Sequence, residues 1–171
     1  MEELNRLEPE EFKSAEKRPV ILLLDNVRSL HNVGSAFRTA DAFRVKKILL
    51  CGITGTPPNR EIHKTALGAT ESVGWEYHQN SAEAAGALKK EGWKLIVLEQ
   101  TSGSIPLQKF MPEKNEKYCF VFGNEVAGVE DEIIKLADTT LEIPQFGTKH
   151  SLNISVSIGI VMWDYFIKIS S

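Results

Sequence analysis

The sequence predicts an α/β fold: a mostly parallel sheet with helices on both faces. Two observations carry that expectation. Four short apolar runs, Val20-Ile-Leu-Leu-Leu24, Lys47-Ile-Leu-Leu-Cys51, Lys94-Leu-Ile-Val-Leu98 and Tyr118-Cys-Phe-Val-Phe122, have strand length and no polar alternation. That is the pattern of strands buried on both faces. Longer stretches with helical spacing separate them, and such alternation builds parallel sheets.

The elements follow in order. Residues 1–16 are charged, and Pro9-Glu-Glu-Phe12 resembles a helix start, so this segment reads as a short helix or an arm, on the surface or against a partner subunit. Residues 17–171 read as a single domain, with no Pro/Gly/Ser linker and no internal repeat. The first strand ends near Asp25, and the loop from Asn26 to Gly34 enters a helix over about 33–43. After the second strand come a helix over about 59–67 and a weaker strand at Val73–Tyr77. A helix over 81–91 follows, with Ser81 as its N-cap and Gly92 as its stop. Beyond the fourth strong strand lie a helix at 127–137, a weaker strand at Thr139–Ile143 and a last helix near 152–168.

Net charge is −3, but it is unevenly spread. Residues 1–16 carry two basic and six acidic side chains, residues 17–64 nine basic and three acidic, and the remainder nine basic and fourteen acidic. The overall balance therefore hides a basic segment suited to a polyanion, although a solvated lysine-rich surface gives the same count. No apolar run reaches the roughly 18–20 residues of a membrane span, and the acidic N-terminus is unlike a signal peptide. Cys51 and Cys119 sit inside apolar runs and read as buried free thiols in a reducing cytosol. No Cys or His spacing suggests a metal.

Three motifs hold polar residues where packing alone would not place them. In Asn26-Val-Arg-Ser-Leu-His-Asn-Val-Gly-Ser-Ala-Phe-Arg38-Thr-Ala-Asp41, the loop leaves the carboxyl end of a strand, where open α/β sheets bind ligands. Asn32 and Arg38 are expected to face that crevice, with Gly34 letting backbone approach a ligand. A capping Asn and a surface Arg fit the same residues. In Phe122-Gly-Asn-Glu125-Val-Ala-Gly128, two glycines bracket an acid ahead of Glu130-Asp-Glu132, whose charges suit a helix start. Glu125 fits a simple turn equally well. With no GxGxxG and no Walker lysine, an ordinary dinucleotide or P-loop site is excluded.

The third motif is Ile143-Pro-Gln-Phe-Gly147-Thr-Lys-His-Ser151-Leu-Asn153-Ile-Ser155. Its Ser and Asn residues open a strongly apolar helix, where such side chains normally use their hydrogen bonds. Capping and close packing explain Ser155, Ser157 and Gly159 well, and Ser151-Leu-Asn153 less well. A hydrolase with Ser151 as nucleophile, His150 as base and Glu125 as orienter is disfavoured. Adjacent Ser and His rarely reach each other, and there is no GxSxG elbow.

Together the three motifs resemble the SPOUT-class RNA methyltransferases, in the SpoU or TrmH-like branch that methylates ribose 2′-hydroxyls. The resemblance covers about residues 20–167, and Lys64–Val73 also looks like a family segment. Larger members carry an RNA-binding domain ahead of the first motif, and none is seen here. The resemblance implies a C-terminal trefoil knot, which general topology rules would not suggest. It implies S-adenosylmethionine as cofactor, held by Leu98, Glu99, Gln100, Gly123, Ile143 and Leu152. It implies Asn32, Arg38, Glu125, Ser151 and Asn153 as the catalytic set. Arg28, His31, Arg38 and Lys149 are the expected RNA-binding side chains.

The implied reaction is attack of a ribose 2′-oxygen on the methyl carbon, with loss of a thioether. Arg38 is expected to anchor a phosphate and stabilise the developing oxyanion, because a guanidinium is too basic to serve freely as a base. Asn32 would orient Arg38 or the ribose. The resemblance further implies a homodimer, with Ile158, Val161, Met162 and Phe166 of the last helix as its surface or as core. The RNA is tRNA or ribosomal RNA, with tRNA slightly ahead, and the location is cytoplasmic. The alternative is a knotted RNA-binding or assembly factor without activity, which the intact five-residue set opposes.

Overall fold

A computed structural model describes residues 9–148 and 151–170; Lys149 and His150 lie outside the described residues. Its element order is α1 (Pro9–Ser14), β1 (Arg18–Asp25), α2 (Leu30–Ala42), β2 (Val45–Cys51), α3 (Arg60–Ala66), α4 (Ala69–Ser72), β3 (Gly74–His78) and α5 (Ser81–Lys90). Then come β4 (Lys94–Leu98), β5 (Ile105–Pro106), β6 (Tyr118–Phe122), α6 (Asp131–Leu136), β7 (Thr139–Glu142) and α7 (Ile154–Ser170). The seven strands form one parallel sheet in the order β3-β2-β1-β6-β4-β7-β5.

The sheet divides the core in two, as period-two strands demand. Val20, Leu22 and Leu24 of β1 point to the face covered by α2 and α7, where they meet Phe37, Phe120, Ile158 and Met162. Ile21 and Leu23 point to the opposite face, with Leu95, Val97, Val121 and the α5 and α6 residues Leu88 and Ile133. Both faces are dry, which is why these strands read as unbroken apolar runs. Each fully buried Leu, Ile or Phe here contributes roughly 1.5–3 kcal/mol.

Register positions the site. Leu24 pairs with Phe122 and Phe122 with Leu98, while Leu98 pairs with Leu141. Four central strands thus end side by side, and the segments that follow them converge.

Several expected boundaries move, each for a local reason. Asn80, not Ser81, caps α5, its side chain accepting from the Glu83 amide at 2.9 Å. The helix expected over 59–67 is α3, which ends at Ala66 because Leu67 and Gly68 both take positive φ, +49° and +90°; the short α4 beyond them was not anticipated. The helix expected from 127 starts at Asp131, because Asn124 and Gly128 pair backbone to backbone and hold the preceding residues in a loop. The short edge strand β5 was not anticipated; two residues carry no periodicity.

A cavity at the carboxyl ends of the central strands

Three loops are bound to one another before any ligand is considered. Glu99, just past β4, accepts from the Gln100 amide at 3.0 Å and reaches across to the Val129 amide at 3.1 Å. Asn124, just past β6, folds its own loop by accepting from the Val126 and Ala127 amides, and donates to the Asn26 carbonyl at 2.7 Å. Asn26, just past β1, holds a left-handed φ of +55° and donates to both Asp25 and Glu130. Its side-chain oxygen accepts from the Ile53 amide at 3.1 Å. Asp25 is fully buried, and its other oxygen accepts from the Glu130 amide at 2.9 Å. Gly123 is required here, since a Cβ would collide with the Gly128 carbonyl and the Val129 amide.

Glu125 joins the first motif to the second. Its carboxylate accepts from the Arg28 and Ser29 amides at 3.1 and 3.2 Å and from the Asn32 side chain at 3.2 Å. Burial pushes this carboxyl up, but the backbone amides of Glu125 itself, Arg28 and Ser29, with the Asn32 amide, outweigh it and leave it below the usual carboxylate range. It is therefore an ionised acceptor at neutral pH. Asn153 caps α7, its side-chain oxygen accepting from the Ser155 amide at 2.8 Å and hydroxyl at 2.6 Å.

The loops enclose a cavity of about 590 Å³. Leu98, Glu99, Gln100, Gly123, Ile143 and Leu152 all line it, together with Glu125, Ser151 and Asn153. Asn32 reaches it through Glu125. Val126, Glu142 and Gln145 also line the cavity and were not singled out in the sequence, and Ser157, expected only to aid close packing, lines it too. The bracing residues Asp25, Asn26 and Asn124 were missed as well. An Asp-Asn pair closing an otherwise apolar strand was the available signal.

Arg38 stands elsewhere. It is exposed and lines a second depression with Ser35, Thr39, Phe43, Lys64, Thr65 and Gly159 of α7. The expectation that Asn32 and Arg38 face one crevice fails on helical phase: six residues at 3.6 per turn leave them about 120° apart. Gly34 also serves packing rather than a ligand, since a Cβ there would collide with Thr65 Oγ1 and the Ile62 carbonyl. Arg28 is exposed, its amide bound to Glu125, and His31 pairs with Glu61 at 2.9 Å. Lys149 and His150, as noted, fall outside the described residues.

The last helix resolves its two readings. Ile158, Val161 and Met162 are core, while Val156, Ile160, Trp163 and Ile167 form an exposed stripe at 4-3-4 spacing. Trp163 stacks on Phe166 at 6.1 Å and tilts against Phe43 at 6.4 Å. No described helix is long and apolar enough to cross a membrane, and no group of three or more metal-binding side chains occurs among the described residues.

Parallel strands, a cavity beyond their carboxyl ends and loops braced by backbone-directed hydrogen bonds define an α/β ligand-binding protein of the open-sheet type. The chain belongs to the SpoU rRNA methylase family, whose model matches residues 19–163. It is 32% identical over 144 residues to the 23S rRNA (guanosine-2′-O-)-methyltransferase RlmB of Neisseria meningitidis, covering 84% of this chain and 56% of that protein. The RlmB of Escherichia coli is 29% identical over 147 residues, covering 86% and 59%. The chain thus spans little more than half the length of these curated relatives. A TrmH/SpoU tRNA modifying enzyme of A. aeolicus superposes with a TM-score of 0.82 at 26% identity, over 93% of this chain and 80% of that one. An AdoMet-bound rRNA methyltransferase of Sinorhizobium meliloti superposes with a TM-score of 0.79 at 25% identity, over 90% and 58%.

Proposed function

We propose that this protein is an S-adenosylmethionine-dependent RNA methyltransferase acting on a ribose 2′-hydroxyl. The observation that carries this reading is the cavity. Its volume lies within the roughly 300–1,000 Å³ of small-molecule sites. Its lining combines apolar Leu98, Ile143 and Leu152 with the segments after β4, β6 and β7 and with ionised Glu125. That donor set fits a ligand with an apolar ring, polar hydroxyls and a charged end. S-Adenosylmethionine supplies a methyl group activated by a sulfonium. The solved relative with AdoMet bound, and the relatives named as guanosine-2′-O-methyltransferases, support the same assignment. Those names also move the RNA from tRNA towards ribosomal RNA, and the cytoplasm stays the proposed place of work.

Residue roles follow from position. Glu125 and Asn32 hold the first motif against the cavity mouth, so both are positioning residues. Ser151 and Asn153 present polar atoms at the mouth from the start of α7. Arg38 is the phosphate anchor and stabiliser of charge developing on the 2′-oxygen, and it acts across a dimer. Its depression shares Gly159 with α7, so a second copy seated on the Val156–Ile167 stripe would cover Arg38 and bring it to the partner's cavity. Residues 17–171 form the methyltransferase domain, and the short helix α1 ahead of it packs Phe12 into the core. The C-terminal segment is threaded as a trefoil knot. In support, β7 inserts between β4 and β5, and the chain passes the cavity again at residues 151–154 before α7 packs on α2.

The test is labelled methyl transfer from S-adenosylmethionine to total RNA from a strain lacking the gene, with Arg38→Ala alongside. Transfer by the wild type, lost at least a hundredfold in the variant with cofactor affinity unchanged, is expected. Equal loss of both would give Arg38 a structural role. Cofactor binding without transfer to any RNA would replace the enzyme with an inactive RNA-binding factor.

A further inference from the structure

The two most exposed large apolar side chains among the described residues are Phe146, at 98%, and Val126, at 85%. Scattered exposed apolar groups need no explanation. These two, however, stand on the two segments that frame one cavity. Val126 lines the cavity and follows Glu125 on the loop between β6 and α6, while Phe146 follows Gln145, a lining residue, on the segment between β7 and α7. The first segment is closed by the Asn124–Gly128 pairing, and the second lies between β7, paired to β4 and β5, and the capped start of α7. An exposed phenyl ring offers a planar apolar face on which another ring can stack.

We infer that Phe146 and Val126 form the two jaws of a clamp for the base of the nucleotide being methylated. The inference rests on the methyltransferase reading and adds how the RNA is held. With the ribose at the mouth, the attached base projects past the polar rim of Glu125, Ser151 and Asn153. The two exposed groups on the flanking segments, Val126 and Phe146, are apolar. A base displaced from its neighbours gains most from an aromatic face on one side and an aliphatic surface on the other. Every base has such a face, so the clamp selects an unstacked nucleotide rather than a sequence, and it favours the larger purine.

The experiment measures initial rates of labelled methyl transfer against concentration of total RNA from the deletion strain, for the wild type, Phe146→Ala and Phe146→Trp. Sedimentation and cofactor titration accompany each. Stacking energies of the usual size raise KM for RNA about 5- to 100-fold in Phe146→Ala. Cofactor affinity and subunit mass stay as in the wild type, and Phe146→Trp restores KM. An unchanged KM in Phe146→Ala overturns the clamp and leaves the methyltransferase reading standing. A dimer that dissociates in Phe146→Ala also overturns it, because the ring would then be an interface residue. Absence of transfer by the wild type removes the methyltransferase reading, and the clamp with it.

Discussion

Glu125 shows how much one side chain can organise. Its carboxylate gathers two amides and a side-chain amide from the first motif, and its depressed pKa records that it is preferred ionised. The stability this supplies is present above the unfolded carboxyl pKa of about 4.3 and is lost as pH falls through the lower folded value. Urea denaturation should therefore find Glu125→Gln less stable than the wild type at pH 7, with the gap closing below about pH 4. A gap as wide at pH 2 as at pH 7 would mean that shape, not charge, is being lost. The two cysteines make a contrasting case. Both are buried free thiols, burial pushing Cys51 up to about 12 and Cys119 higher still, so neither is a nucleophile near neutrality. Their burial was legible from flanking residues. The roles of Asp25 and Asn26 were not, because their partners Ile53 and Glu130 come from distant segments.

At the scale of elements, α7 separates two faces that the sequence left merged. Its residues are apolar almost all round, so periodicity alone could not say which side meets α2. The core face fixes stability, and the opposite face is the one on which we propose that a second copy seats. Ile158→Ala should cost about 2–5 kcal/mol in denaturant unfolding. Trp163→Ser, which gives up its ring contacts with Phe43 and Phe166, should cost no more than about 1–3 kcal/mol in unfolding at low concentration yet abolish the dimer in sedimentation. A wild type that sediments as a monomer at every concentration would refute the assembly. The same contrast explains the rest of what the sequence could tell. The strands Val20–Leu24, Lys47–Cys51, Lys94–Leu98 and Tyr118–Phe122 announced themselves because burial on both faces leaves a continuous apolar run. The α6 start was misplaced because the Asn124–Gly128 pairing, backed by the distant Glu99 and Asp25 carboxylates on the Val129 and Glu130 amides, holds the preceding residues in a loop. Arg38 was aimed at the wrong crevice because helical phase follows from packing against α3 and α7, not from the motif itself.

For the whole molecule, the cavity belongs to no single element, so its occupation should stiffen the entire sheet. At a hundredfold excess over Kd, S-adenosylmethionine should stabilise the fold by about 2.7 kcal/mol. For a chain of this length that raises Tm by about 5–10 °C in calorimetry. Gly123→Ala, whose new methyl would press on Gly128 and Val129, should lower the starting Tm and abolish the increment. An increment equal to that of the wild type would detach cofactor binding from the loop.

The strand order has a consequence for how the chain is made. β6 lies between β1 and β4, and β7 between β4 and β5, so the two later strands enter slots left open by earlier ones. While the ribosome is still delivering residues before Tyr118, the apolar segment of β1 lacks a neighbour on one side and that of β4 on both. An unpaired apolar strand edge is a template for wrong pairing with another chain. The centre of this sheet is therefore completed late. A transcript truncated ahead of β6 would yield not a smaller working protein but a nascent chain that chaperones must shield.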